Sequence, residues 1–403
     1  MKICLWMSEY YEGFSGVHRM TTTLANHLAK EHEVTVVYHD AAWGEKPTVH
    51  PEFYLASTID KIPLNDSFFR SEKRIWRRGL RWLNRQTGCF NHSTTVGILR
   101  NIILPRNVRR NLITFFNHQD FDIIIGVHYE TMRYLSAIAP ALQAHTIGWL
   151  HNSFEACWRN PPRYLWQQDQ LARVDYPNLD KLIVLSAGDQ QKLAQYLGLK
   201  SSYIHNPVSF QVATPVDLTH AKFIAMGRFS MAKRYDRLLA AFSYFNQYQS
   251  DWQCLLLGDG PERFHIEQLV RQYGLEKKVI MPGFVSDVRS YFQQASIYLL
   301  TSQWEGLPLV VLEALAVGCP VIAYDLPTLA PLLSNEKEGL LVPQTASSEE
   351  YGRAMLRLAR DPQLRQVMQA NALVKAQQFT PEKFYHQWDV VVDQVMQNNM
   401  VKR

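Results

Sequence analysis

The 403-residue chain has no apolar run approaching the roughly 18 residues that a membrane-spanning helix needs. Its opening stretch, "MKICLWMSEYYEG", has too short an apolar core for the h-region of a secretory leader, so no leader is expected. The five cysteines (Cys4, Cys89, Cys157, Cys254, Cys319) are scattered, odd in number and form no C-x-x-C pair. That spacing speaks against a disulfide framework and sets the expectation of reduced, structural thiols in a cytoplasmic protein. There is no G-x-G-x-x-G fingerprint, no internal repeat and no low-complexity tract.

Present instead is an ordinary globular composition, 47% hydrophobic and 20% charged, in a chain long enough for two domains with separate cores. The net charge of +5 is unevenly placed. Arg70 to Arg110 holds eleven Lys and Arg against the single acid Glu72, so that segment is +10 and the other 362 residues sum to −5. The basic character belongs to one segment.

Short apolar runs alternate with helical patterns. "KICLWM", "EVTVVYH", "FDIIIGV", "HTIGWL" and "DKLIVLS" read as strands, each followed by helix-compatible sequence. Continuous apolar strands of this kind predict parallel sheet buried on both faces. The stretch 203–217, "YIHNPVSFQVATPVD", reads as a linker. After it the alternation restarts in "KFIAMGRF", "WQCLLLGDGPE", "KVIMPGF", "IYLLTS" and "PVIAYD". The expected architecture is α/β, with two doubly wound, Rossmann-like parallel-sheet domains facing across a cleft. The boundaries are 1–206, joined by a C-terminal helix 381–403, and 207–380. Thr380 and Pro381 suit the N-cap and first position of that helix. Ligands of such domains bind beyond the carboxyl ends of the strands.

Several polar residues fall at those ends. "PLVVLEALAVG" reads as a buried helix started by Pro308 and stopped by Gly318, with Glu313 inside it. A carboxylate there needs donors: the two hydroxyls of a ribose, or else a buried Arg or backbone. Glu305, just after the strand "SIYLLTS", either caps its own helix or accepts hydroxyls of a bound sugar. Arg228 and Lys233 in "MGRFSMAKRYDRLL" suit a diphosphate clamp or are surface charge. Gly13 and Gly16 lie between the first strand and helix, where backbone approaches a phosphate or simply turns. His151 follows a strand and faces the cleft or serves structure.

"GRFSMAKRYDRLLAAF", "LLLGDGPE", "PGFVSDV" and "EGLPLVVLEALAVGCPVIA", in this order, resemble the donor domain of retaining GT-B glycosyltransferases of the large family four. The family's hallmark of Glu, seven residues, Glu corresponds to Glu305 and Glu313. The resemblance is dense over residues 222–345 and thinner over 1–206. It implies that Glu313 holds the ribose, and that Glu305 meets the donor sugar beside the backbone of Gly306 and Leu307. Arg228 and Lys233 would bind the diphosphate, and Gly283, Phe284 and Val285 would flank the base. Gly16 would approach the phosphates, and His151 would line the sugar or acceptor side. The co-substrate implied is a nucleotide sugar, a UDP-sugar, with no cofactor and no metal, and no D-x-D is convincingly placed for a metal in the cleft. Two departures stand out: Ser15 precedes Gly16, and Arg234 occupies a position that is often glycine in the family.

In "FFRSEKRIWRRGLRWLNRQ", Trp76, Leu80 and Leu83 recur at helical spacing while Lys73, Arg74, Arg77, Arg78, Arg81 and Arg85 cover the remaining faces. A basic amphipathic helix with Trp reads as an interfacial membrane binder. An anionic, phosphate-bearing acceptor and an ordinary solvated face are the alternatives, and nothing resembles a nucleic-acid module. The expected function is transfer of a hexose or N-acetylhexosamine to a lipid-linked or cell-surface polysaccharide acceptor. The enzyme would be cytoplasmic and peripheral at the inner face of the cell membrane. The rival is a non-catalytic GT-B module that binds a glycan or stabilises a partner enzyme.

Overall fold

The computed structural model describes residues 1–8, 15–40, 54–69, 74–161, 163–210 and 214–397. The chain divides into two compact units, Met1–His205 with Tyr385–Arg403, and Asn206–Phe384. The first holds β1 (Lys2–Met7), β2 (Glu33–Asp40), β3 (Asp60–Asn65), β4 (Ile123–Val127), β5 (His145–Trp149), β6 (Lys181–Val184) and β7 (Ser202–Tyr203) in one sheet. Their order is β3-β2-β1-β4-β5-β6-β7. The second unit holds β8 (Lys222–Met226), β9 (Gln253–Leu257), β10 (Val279–Gly283), β11 (Ile297–Leu300), β12 (Val321–Tyr324) and β13 (Gly339–Val342). Their order is β10-β9-β8-β11-β12-β13.

Every pairing is parallel, with registers such as Leu5 opposite Ile125 and Ala225 opposite Leu256. The central strands are buried at every position, as β4, β11 and β12 show. Strands covered on both faces need no polar alternation, which is why they read as unbroken apolar runs. β3 departs from that pattern. It is polar and contains Pro63, and it is an edge strand, where a missing ladder donor is tolerated.

In both sheets the strand order reverses beside the first strand of the unit, between β1 and β4 and between β8 and β11. These are the topological switch points of doubly wound sheets. The terminal helix Pro381–Gln397 starts as expected, with the Lys383 N–H donating to Thr380 Oγ1 at 3.4 Å. Within the first unit its Trp388 is fully buried against Trp149, ring centroids 4.8 Å apart, and Asp389 Oδ1 lies 2.7 Å from His27 Nε2.

Candidate active site

The second unit's switch point is built on glycine. β8 ends at Met226, and Gly227 follows at φ 144°. A Cβ there would meet Lys233 Cε at 3.0 Å, so the lysine stem lies directly over this turn. Gly258 and Gly260, in the loop after β9, have φ 138° and 153°. Their Cβ atoms would lie 2.1 Å from Gly227 O and 2.5 Å from Phe229 O. Only glycine permits these dihedrals and this approach. The two loops are stitched by Gly227 N–H to Leu257 O (3.0 Å), Phe229 N–H to Asp259 O (2.8 Å) and Gly258 N–H to Gly283 O (2.8 Å). "LGDG", a weak motif alone, is the partner of "MGRF".

Two buried tyrosines hold the end of β8. Tyr298 donates to Met226 O (3.4 Å) and Tyr235 to Gly227 O (3.3 Å). Burial pushes both phenols well above their ordinary range, with Glu305 adding to the effect, so they remain protonated donors.

Lys233 closes a single 3-10 turn, Met231–Lys233. Thr301 Oγ1, beyond β11, donates to the carbonyls of Lys233 (2.9 Å) and Arg234 (3.1 Å), and Gln303 N–H donates to Ala232 O (2.8 Å). Across the switch point Lys233 Nζ meets Glu305 Oε1 at 2.7 Å, and Ser302 Oγ donates to the same oxygen at 2.6 Å. Glu305 is therefore not its own helix's cap. The helix Leu309–Ala316 has Pro308 at its N-cap and no side-chain cap. Its other end matches expectation, with Gly318 left-handed at φ 72° just past the C-cap Val317.

Arg228 is exposed beside Gly227. Glu313 is 2% exposed inside its helix, and Leu307 is buried with its carbonyl accepting from Asn206 Nδ2 at 3.4 Å. Gly306 is half-buried between Glu305 and Leu307. Gly283 ends the edge strand β10 at φ 89°, followed by exposed Phe284 and half-buried Val285. Arg234 sits left-handed at φ 51° and holds Asp236 through two nitrogens at 2.8 to 3.2 Å. The family's frequent glycine there has a conformational reason, and arginine occupies the position at a cost in strain.

At the first unit's switch point, Gly16 opens the helix Gly16–Leu28, and its N-cap Ser15 Oγ lies 2.8 Å from His18 Nδ1. Gly13 lies outside the described residues. His151, after β5, is 7% exposed, with its ring 4.1 Å from Trp149 and no hydrogen-bond partner for Nε2. Sequence reasoning missed His128, the residue directly after β4. It takes φ 74°, a strained value for a side-chain-bearing residue, and the Asn152 side chain hydrogen-bonds it. The available signal was that of His151, a histidine directly after an apolar strand. Burial pushes His128 down to about 4, and burial, then His128 and His18, push His151 well below its ordinary value. Both imidazoles are thus neutral at physiological pH. The D-x-D spacing Asp120–Asp122 is at the opposite end of the strands, where Asp122 Oδ2 accepts from Lys2 N–H at 2.7 Å.

The arginine-rich helix spans Arg74–Thr87, and Lys73 lies outside the described residues. Arg81 is turned inward, donating to the carbonyls of Ile102 (3.2 Å) and Ile103 (2.6 Å), which corrects its assignment as a surface cation. Arg77 is half-buried, whereas Arg78 and Arg85 are exposed.

Residues 210–374 match the family model described as Glycosyl transferases group 1, and residues 14–212 match Glycosyltransferase Family 4. An uncharacterized glycosyltransferase of Haemophilus influenzae is 24% identical over 287 residues, 70% of this chain and 79% of that protein. A GalNAc-α-(1→4)-GalNAc-α-(1→3)-diNAcBac-PP-undecaprenol α-1,4-N-acetyl-D-galactosaminyltransferase of Campylobacter jejuni is 23% identical over 347 residues, 85% of this chain and 84% of that protein. S. aureus TarM, solved with Fondaparinux, α-GlcNAc-glycerol and UDP, superposes with a TM-score of 0.74 at 12% identity, covering 98% of this chain and 99% of that one. At that identity the likeness is one of fold.

Proposed function

The chain is a family-4-like glycosyltransferase of GT-B fold, and on that premise we propose that it transfers a hexose or N-acetylhexosamine from a UDP-sugar to a lipid-linked or cell-surface polysaccharide acceptor, with retention of configuration. The observation that carries this reading is the Lys233–Glu305 pair at the switch point, with exposed Arg228 following Gly227, the residue under the Lys233 stem. In the reaction the bond from C1 to the diphosphate oxygen breaks, and a bond forms from C1 to the acceptor oxygen on the same face. The acceptor hydroxyl proton passes to the departing phosphate oxygen. The charge that develops on the diphosphate is offset by Lys233, Arg228 and the uncapped N-terminus of the helix Leu309–Ala316. Donor binding exchanges one pair for two contacts, Lys233 moving to phosphate and Glu305 to sugar hydroxyls. Glu313 accepts the ribose hydroxyls. His151 offers a neutral imidazole to a sugar or acceptor hydroxyl.

In this mechanism the cations take the role a metal would fill, so chelator is expected to leave the rate unchanged. The lipid-linked acceptor of the Campylobacter relative supports a peripheral station at the inner face of the cell membrane. Among the described residues no helix is long and apolar enough to cross a membrane.

The test is a thermal-shift and hydrolysis panel of UDP-, GDP- and ADP-sugars. Donor at 100 times its Kd stabilises the folded protein by about 2.7 kcal/mol. A shift with UDP-sugar and slow UDP release are expected. No shift with any donor, in folded protein, refutes the transferase reading in favour of a non-catalytic module. A Glu313→Ala variant that binds UDP like the parent refutes the ribose assignment.

A further inference from the structure

The helix Arg74–Thr87 is amphipathic but docked by its polar side. Arg81 donates to the Ile102 and Ile103 carbonyls at the end of the neighbouring helix Val96–Ile103. Asn84 is buried, with Nδ2 donating to Gln167 O and Oδ1 accepting from Phe90 N–H, both at 2.9 Å. The Trp166 indole N–H donates to Arg85 O at 3.0 Å. These contacts fix the helix's rotation.

That rotation turns the apolar side outward. Ile75 is 83% exposed, Trp76 77% and Trp82 63%, and Leu83 is exposed beside them. At about 100° per residue these four and Gly79 fall within roughly 120° of arc. Arg78 and Arg85, both exposed, border the Trp82 edge. No Asp or Glu occurs from Lys73 to Gln119. Single exposed apolar residues are ordinary on a protein surface; two tryptophans, an isoleucine and a leucine on one side of one helix are not.

We propose that this face lies on an anionic phospholipid surface. Tryptophan suits the headgroup level, the aliphatic side chains suit the acyl boundary, and the bordering arginines suit lipid phosphates. A second copy of the chain fits less well, because an isologous contact would set arginines against arginines with no acid between them. The inference rests on the lipid-linked acceptor reading and adds to it the seat of the enzyme. It also differs from a purely electrostatic anchor, since apolar insertion carries part of the binding.

The test is flotation of the full chain with phosphatidylcholine vesicles, with and without phosphatidylglycerol. The variants are Trp76→Ser/Trp82→Ser and Arg78→Glu/Arg85→Glu, with thermal unfolding as the check of folding. The parent is expected to float with anionic vesicles only, and less at high salt. Each folded double variant is expected to partition at least roughly tenfold more weakly. A parent that does not float with anionic vesicles, or variants that float like the parent, overturns the proposal. So does a parent dimer that the tryptophan variant converts to monomer, which would make this face a contact between copies. Donor-induced stabilisation of the parent, read on the same samples, reports the transfer reading separately.

Discussion

Replacing Lys233 by Met separates the two tasks assigned to the pair at the switch point. The substitution keeps the length and apolar stem that lie over Gly227 and removes only the ammonium. Glu305 is left with Ser302 as its partner. The side chains are 20% and 13% exposed, so the pair is close to buried. Breaking a fully buried pair costs about 3–5 kcal/mol, and an exposed one about 0–1. With the Ser302 hydrogen bond retained, worth about 1 kcal/mol, the expected loss is about 2–3 kcal/mol. The backbone at position 233 remains held by Thr301, so the turn itself stays in place. Activity should fall further than stability accounts for. Removing one preorganised charge from a departing anion costs about 10²–10³ in kcat.

The double variant Lys233→Met/Glu305→Gln decides between the roles. With neither charge buried alone, its stability should return to within about 1 kcal/mol of the parent, a coupling of about 1–3 kcal/mol. Its kcat should stay at or below the level of the Lys233→Met variant, because Glu305 also serves the donor sugar. Urea unfolding followed by donor-turnover assays on parent, singles and double gives both readings. If the double is as unstable as the sum of the singles, the pair does not interact as described. If Lys233→Met keeps the parent kcat, Lys233 does not support the leaving group.

Other outcomes follow from the same geometry. At Arg234, φ 51° favours glycine, so Arg234→Gly should be more stable than Arg234→Ala by about 1 kcal/mol, read by urea midpoint; equal midpoints refute the strain. At Gly258, a Cβ would sit 2.1 Å from Gly227 O at φ 138°, so Gly258→Ala should lose about 3 kcal/mol or more and displace Lys233; a parent-like melting curve refutes the close packing of the two loops. His128 is held neutral in the folded state down to about pH 4, while an unfolded histidine takes up its proton near 6.5. The unfolded state therefore binds more protons between those values, and stability should fall as pH drops through that window, by up to about 1.4 kcal/mol per unit. His128→Asn tolerates the left-handed backbone and should flatten the profile, so an unchanged slope would show that the imidazole is already charged when folded.

Much of this molecule is determined by neighbours along the chain. The buried strands read clearly because "IIIGV" or "IYLL" between two helical layers has no polar side to show. Helix stops such as Gly318 and starts such as Thr380 are local chemistry as well. Glu305, Arg228 and Lys233 stand out as polar groups following apolar strands, and Glu313 as a lone carboxylate inside an apolar helix. β3 escaped notice because an edge strand tolerates polar residues and proline, and β13 because it is four residues long and opens on Gly339.

Other features depend on parts of the chain distant in sequence. Glu305 was read as either a cap or a sugar ligand, and its partner in the free protein is a lysine 72 residues away, brought there because β8 and β11 are adjacent in the sheet. His128 carries no local mark of its strain, which arises where β4 meets its helix at the switch point. The arginine-rich helix is the clearest case. Its pattern specifies an amphipathic helix but not which side faces the protein. That was decided by the bare carbonyls of Ile102 and Ile103, which required donors, and by Gln167 O and Phe90 N–H, which required Asn84. Leaving buried backbone groups unpaired costs more than exposing a few apolar side chains, so the polar face was drawn inward and the tryptophans were left outside.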